Sequence, residues 1–259
     1  MLLSMDVLYV GDHKLQTNQY FAGADSFQVF HREVADYEPL RESLDDHPAV
    51  NVTYMSGPET MVEFPGSVDE LAEFDVLVIS DLTRGTLEPH FYPDAIPGPN
   101  LLRIVKEFVV GGGGLLYCGG WMTFQGYQGV GNWHGTPVTD VLPVDLRPIF
   151  DDRVERPEGG EVVVHDVTHP TTAHLADESF PDVYGYNEVA GVTEGATTLA
   201  TVDGRPLLAA GSFGDGRSIV YASDPGPKWG FGLMDWDGYD QFWVRVLAWL
   251  SDTDLEGAA

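Results

Sequence analysis

The sequence predicts an α/β fold: a doubly wound, mostly parallel sheet with helices on both faces and a β-rich C-terminal half. Three observations carry this expectation. Short apolar runs alternate with stretches of helical spacing, the runs are apolar throughout, and each is closed by glycine, proline or a polar turn. A continuous apolar run marks a strand covered on both faces, and alternation with helices implies parallel crossovers.

The first run, Met5–Val10 (MDVLYV), ends at Gly11-Asp12 and reads as a buried strand followed by a turn. Helical spacing appears at Tyr37, Leu40 and Leu44 and stops at His47-Pro48. Val50–Tyr54 is the second strand. Ser67 and Glu70 have capping-box spacing and open a short helix, VDELAEF. Asp75–Ser80 (DVLVIS) is the next buried strand, running into Asp81-Leu82-Thr83-Arg84. Asn100 should cap a helix reaching about Val110, with Leu101, Leu102, Val105, Phe108 and Val109 on one face. Gly111–Gly114 ends that helix and Leu115–Cys118 is again a buried strand. The β-α-β-α-β-α-β order to this point is flavodoxin-like.

Further strands are expected at Glu161–His165, Thr197–Val202, Leu207–Ala210 and Ser218–Ala222, the last two as a hairpin around Phe213–Gly216. Asp151–Gly160 is acidic, carries Pro and Gly, and is expected to be a loop. Tyr239–Leu250 has a helical stripe of Phe242, Val246, Leu247 and Leu250. With no internal repeat or low-complexity linker, residues 1–251 read as one domain and 252–259 as a polar, frayed tail.

The chain has 259 residues, with 13 Lys+Arg against 41 Asp+Glu, so its formal net charge is 13 − 41 = −28. Phosphate binding needs clustered cations, so nucleic acid and anionic membranes are excluded as partners. Hydrophobic residues at 43% place that acidity on a folded body rather than a disordered chain. No apolar run approaches a membrane span, and Met1–Leu3 opens no signal peptide. Cys118 is the one cysteine, which forbids an internal disulfide and a cysteine-built zinc site and fits a reducing cytoplasm. Only Lys14, Lys106 and Lys228 are lysines. So acid-rich a chain repels itself at low ionic strength, whereas ~1 M salt shortens the Debye length to ~3 Å. The expectation is a salt-rich cytoplasm, that of a halophile.

Ligands of open α/β sheets bind beyond the carboxyl ends of the strands. Three segments end strands there: SDLTRGT (Ser80–Thr86), CGGWMTFQG (Cys118–Gly126) and SDPGPKWG (Ser223–Gly230). From them Asp81, Arg84, Gly119, Gly120, Trp121, Asp224 and Trp229 are candidates to hold a small polar ligand. Cys118 followed by glycines has half the pattern of a nucleophile elbow, although Leu116 stands where a glycine usually precedes the nucleophile. A thiol nucleophile needs a base, and His134 is the histidine closest downstream in sequence. His165, Asp166, His169 and His174 are near one another in sequence, but Pro170 turns the chain between them and no metal is expected. No cofactor is expected either, because neither a dinucleotide fingerprint nor a P-loop is present. The aromatics from Trp229 to Trp236 point to a homo-oligomer contact.

Gly112–Val144 (GGGLLYCGGWMTFQGYQGVGNWHGTPVTDVLPV) resembles the signature of the glutamine amidotransferase-like proteins, a branch of the class I glutamine amidotransferase-like superfamily. The resemblance extends to Asp75–Leu87, Phe180–Val189, Arg205–Gly230 and Asp235–Leu250, so it spans nearly the whole chain. It implies a flavodoxin-like α/β fold, a cytoplasmic protein and self-association. It also implies kinship with trehalose-utilisation-type and β-galactosidase trimerisation domains, which lack a glutaminase triad. Class I amidotransferases pair an elbow cysteine with a His-x-Glu on a later strand end. Cys118 matches the cysteine, but Ala222–Gly230 offers Asp224 and Lys228 and neither histidine nor glutamate. Two functions are therefore expected in order: a non-glutaminase binding or assembly protein, then a Cys118-dependent amidotransferase or hydrolase.

Overall fold

The computed structural model describes residues 4–88, 97–175 and 179–254. The expectations for Met1–Leu3 and for residues 255–259 of the tail lie outside these. The strands are β1 (Met5–Gly11), β2 (His13–Ala22), β3 (Asp25–Ala35), β4 (Val50–Met55), β5 (Val76–Ser80), β6 (Gly114–Cys118) and β7 (Val144–Asp145). They continue with β8 (Arg153–Gly160), β9 (Val162–Val164), β10 (Val183–Asn187), β11 (Gly191–Val192), β12 (Thr197–Val202), β13 (Arg205–Phe213) and β14 (Gly216–Tyr221). The helices are α1 (Glu38–Asp45), α2 (Gly57–Glu63), α3 (Val68–Leu71), α4 (Leu101–Val110), α5 (Phe231–Met234) and α6 (Tyr239–Leu250).

Eight strands form one sheet in the order β4-β1-β5-β6-β14-β13-β12-β9. The first five are parallel neighbours and the last three join antiparallel. Period-two alternation divides each apolar strand between two cores. Met5, Val7 and Tyr9 of β1 pack with Leu40 and Leu44 of α1 and Phe242, Val246 and Leu247 of α6. Leu8 and Val10 pack with Leu71 of α3 and Leu102, Val105 and Phe108 of α4. Each fully buried side chain of this kind contributes about 1.5–3 kcal/mol relative to exposure, which explains why the apolar runs alone located these strands. Among the described residues, no helix is long and apolar enough to cross a membrane.

The caps follow local chemistry. Asn100 Oδ1 accepts from the Arg103 N–H at 3.0 Å, as its position before α4 requires. Ser67 Oγ accepts from Glu70 N–H at 3.2 Å, but Glu70 reaches Gly66 N–H at 2.7 Å instead of returning to Ser67. The reciprocal box forms one helix earlier, where Ser56 caps α2 and Glu59 Oε2 takes the Ser56 N–H at 2.8 Å.

Two expectations need correction. Asp151–Gly160 is not a loop: Arg153–Gly160 is strand β8, antiparallel to β10. Its Pro157 lies where the register shifts between Val183 and Gly185, so the missing N–H breaks no regular ladder bond. Between the first strand and α1, the structure places a long two-stranded ribbon, β2–β3, that apolar periodicity does not reveal. Its β2 strand is exposed over eight of ten residues, so no core imposes a pattern on it. The described part of the tail folds back, with Arg217 bonded to Asp252 at 2.8 Å and Thr253 N–H to Ala248 O at 2.9 Å.

Candidate functional site

Because β1, β5, β6 and β14 run parallel as neighbours, their carboxyl ends meet along one edge. Asp12 follows β1, Asp81 follows β5, Gly119-Gly120 follow β6 and Asp224 stands just beyond β14. Asp12 (φ 48°) and Asp81 (φ 42°) both adopt the left-handed conformation. Aspartate tolerates it better than most residues, and backbone held there is a mark of functional edges. Gly11 must be glycine, since its φ is 115° and a Cβ would meet Ser80 O at 1.8 Å. That close approach lets Asp12 N–H bond Ser80 O at 3.0 Å and sets the two carboxylates side by side.

Asp12, Asp81 and Asp224 are all buried, and the Lys14 ammonium acts on all three. Lys14, at the root of the ribbon, is ion-paired with Asp81 and lies 3.1 Å from Asp36. Lys228 approaches Asp36 from the other side, also at 3.1 Å. Burial opposes the Lys14 charge, yet Asp81, Asp224 and Asp12 outweigh it and push the ammonium pKa up. Burial and then Asp81 raise Asp12 to about 6, while Ser80, Tyr9 and Lys14 restrain the rise. Burial, Asp12 and Asp81 push Asp224 well above the usual carboxylate range. Burial and mutual repulsion thus make the carboxyls of Asp12 and Asp224 hold their protons more tightly than free aspartates do.

The glycine-rich loop after β6 is held by a buried clamp. Asn187 Oδ1 accepts from Gly120 N–H at 2.8 Å, and its amide donates to Gly120 O at 3.1 Å and Asp152 Oδ1 at 3.0 Å. Asp152 in turn accepts from Gln125 N–H at 2.8 Å and Gly126 N–H at 2.9 Å. Gly119 N–H points back into the sheet, to Tyr221 O at 2.8 Å and Ser223 O at 3.0 Å. Met122 N–H donates to Asp81, which ties the loop to the carboxylate cluster.

Cys118 is fully buried on the α6 side of the sheet. Burial raises its thiol pKa well above the ordinary value, and Asp12 and Asp224 add to the rise. A thiolate nucleophile needs the opposite, a nearby cation or base. An oxyanion hole needs free N–H groups beside the nucleophile, and those of Gly119 and Gly120 are already bonded.

The structure brings Asp81, Gly119, Gly120 and Asp224 together with Cys118 beneath them. Trp121 lies at the rim, half-buried and stacked on Tyr127 at 5.3 Å, with the Arg153 guanidinium 4.5 Å from its ring and Lys228 Nζ 5.9 Å away. The other candidates stand apart. Trp229 is buried, donates to Glu155 at 2.9 Å and covers Gly185, where a Cβ would meet its ring at 2.1 Å. Arg84 is ion-paired with Glu88 in the 3-10 turn Arg84–Leu87. His134 is exposed, with its backbone N–H on Gln125 Oε1 at 3.1 Å. Among the later histidines, His165 bonds Thr201 at 2.8 Å while His169 packs on Trp249 at 4.8 Å. No group of three or more His, Cys, Asp or Glu among the described residues is arranged to hold a metal ion.

Asp12, Lys14, Asp36, Lys228 and the Asn187–Asp152 clamp escaped the sequence reading. Asp12 carried a usable signal, because it follows its strand as Asp81 follows the neighbouring one. The clamp has none, since Asn187 lies 67 residues from Gly120 and 35 from Asp152.

A family profile described as "Putative glutamine amidotransferase" matches residues 6–252. Among solved structures, a cytoplasmic protein from Salmonella typhimurium is 33% identical with a TM-score of 0.85, over 94% of this chain and 98% of its own. A second, from Salmonella typhimurium LT2, is 32% identical with a TM-score of 0.87, over 95% and 99%. A ThuA-like protein from Parabacteroides merdae ATCC 43184 shares the fold alone, at 14% identity and a TM-score of 0.55 over 96% and 90%. No curated protein sequence matches the chain.

Proposed function

The chain belongs to the glutamine amidotransferase-like family, and from that premise we propose that it is a member without glutaminase chemistry. On this reading it is a binding or assembly protein that holds a small polar ligand at the carboxyl edge of its sheet. The observation that carries the proposal is the state of the elbow. Both N–H groups that could stabilise an oxyanion are bonded within the protein, and the thiol is sealed under two carboxyls that disfavour its ionisation. No histidine follows His174 in the chain, so Ala222–Gly230 supplies no imidazole base. The parallel order β4-β1-β5-β6-β14 supports the doubly wound, flavodoxin-like reading of the core. A cytoplasmic location agrees with a single buried thiol, and a halophilic source with the −28 charge.

Ligand binding is supported by the residues around the cluster. Asp12, Asp81 and Asp224 supply carboxyl groups, Lys14 and Lys228 supply cations, and Trp121 offers an aromatic edge. Clusters of perturbed carboxyls are costly to keep buried, and functional edges are where such cost is retained.

Incubation with a glutamine-analogue electrophile such as 6-diazo-5-oxonorleucine tests the first half. The expected mass spectrum shows unmodified protein, with no ammonia released from glutamine. An adduct on the native protein that disappears in Cys118→Ser would establish the cysteine-dependent reading instead. For the second half, amino acids, sugars and nucleosides are screened by thermal shift in molar salt. One class should raise the Tm, and Lys228→Met should lose that rise. No shift with any class, or a shift retained in Lys228→Met, would count against the edge as the binding site.

A further inference from the structure

Among the described residues, the ribbon β2–β3 pairs with no other strand. A two-stranded ribbon is marginal in water unless something packs on it, yet this one exposes large apolar groups along its length. Leu15 is 62% exposed, Tyr20 56%, Phe21 78% and Phe27 54%. Tyr20 and Phe27 stack across the strands at 6.0 Å and 13°. Val62, Phe150 and Phe231, by contrast, are exposed on three separate segments, and single exposures of that kind are ordinary. Register is maintained by polar pairs, Arg32 to Gln16 at 3.0 Å and Gln19 to Ser26 at 3.3 Å.

Charge identifies what covers the ribbon. The chain carries a net −28, but from Leu15 to His31 the only Asp, Glu, Lys or Arg is Asp25. Two copies of so acidic a protein repel wherever their charged surfaces meet, and the ribbon is a long exposed segment, nearly free of charge, on which they can approach. A basic partner protein would instead be drawn to the acidic residues that the ribbon lacks. Tyr20 and Phe27 stack on one face and Phe21, next along β2, stands on the other. The roughly 350–400 Å² that the three expose, at about 200 Å² for a whole aromatic side chain, is therefore divided between both faces. Two ribbons that engage each other through both faces, backbone and polar groups included, approach the ~1,200 Å² at which stable interfaces begin. Both long edges of the ribbon are open, and like edges pair about a twofold axis.

We propose that the β2–β3 ribbon is the self-association surface of this protein, docking against the same ribbon of a second copy. The inference rests on the assembly part of the reading above and is independent of the ligand. Lys14 and Asp36 stand together at the root of the ribbon, whereas Tyr20, Phe21 and Phe27 lie towards its tip, so the contact is separate from the carboxylate cluster.

Size-exclusion chromatography with light scattering in 2 M KCl tests it. Native protein should elute at twice the chain mass or a higher even multiple. The double variant Phe21→Asp/Phe27→Asp should elute at the chain mass with its far-UV spectrum retained, while Phe231→Asp behaves as native. A native monomer at tens of micromolar would overturn both the ribbon and the assembly reading. A double variant that keeps the native mass would overturn the ribbon alone. Should the double variant misfold, hydrogen exchange on native protein decides the matter. Ribbon amides should be protected when concentrated and exchange faster on dilution, and fast exchange at every concentration would refute the proposal.

Discussion

Lys14→Met is expected to remove about 3–5 kcal/mol of folding stability at pH 7 and above, the loss typical of a buried ion cluster deprived of one partner. Methionine has nearly the length of lysine, so the effect isolates the charge. Lys14 is the cation paired with buried Asp81, and its field also reaches Asp12 and Asp224. Without it, three buried carboxyls face one another, and Asp36 retains only Lys228. Lys106→Met is the control: its pair with Asp140 is exposed (37% and 61%) and should change stability by at most ~0.5 kcal/mol.

The pH dependence has a definite sign. Asp12 titrates at about 6 in the fold, against 3.8 for a free aspartate side chain. Between those values the folded state holds a proton that the unfolded chain has released, so this group lowers stability as pH rises. Asp224 acts in the same direction, its carboxyl raised by burial and by Asp12 and Asp81. Asp36 acts oppositely: burial alone would raise its pKa, but Lys14 and Lys228 lower it, so its contribution is lost only as pH falls below the ordinary carboxylate range. Lys14→Met raises the cluster carboxyls further. The native–variant difference should therefore be largest near pH 8 and shrink towards pH 4. Chemical denaturation in molar salt at pH 4.5, 7 and 8.5 measures it. A loss below 1 kcal/mol at pH 8.5, or one equal at every pH, would show that Lys14 does not neutralise the cluster.

The parts of the fold legible in the sequence were those where burial imposes a pattern. Val76–Ile79 and Leu115–Cys118 are apolar throughout because their side chains divide between two buried cores, and the strand ends locate Asp81 and Gly119. The ribbon has no such pattern because none of its described side chains belongs to either core. Lys14 and Asp36 were hidden with it, although they complete the site. Cys118 shows a different limit. Its place at a strand end was readable, but its burial depends on α6, more than a hundred residues later, and the engagement of the Gly119 and Gly120 N–H groups depends on Tyr221, Ser223 and Asn187. Trp229 looked like a loop aromatic and is a buried cover over Gly185, a contact that only the β8–β10 pairing creates.

Transfer from 1 M to 0.01 M KCl at pH 7.5 is expected to unfold the protein at room temperature. Six of the described acids, Asp12, Asp36, Asp81, Glu88, Asp152 and Asp224, are buried, and the other described ones are at least partly exposed. The −28 net charge can be smeared over a sphere of roughly 20–25 Å radius, the size expected for this length. Screened Coulomb repulsion then rises by roughly 30 kcal/mol as the Debye length grows from ~3 to ~30 Å. An expanded chain escapes most of that repulsion, whereas folding free energies are only about 5–15 kcal/mol. Even after counterions and proton uptake reduce the difference severalfold, it is as large as the stability it opposes. Far-UV circular dichroism should show the sheet signal lost in dilute buffer and regained on adding KCl. Acidifying the dilute sample to pH 4.5 should restore part of it, because protonated carboxyls no longer repel. That recovery separates charge repulsion from a specific need for potassium. A Tm within a few degrees at both salt concentrations would show instead that these carboxylates are tolerated without screening.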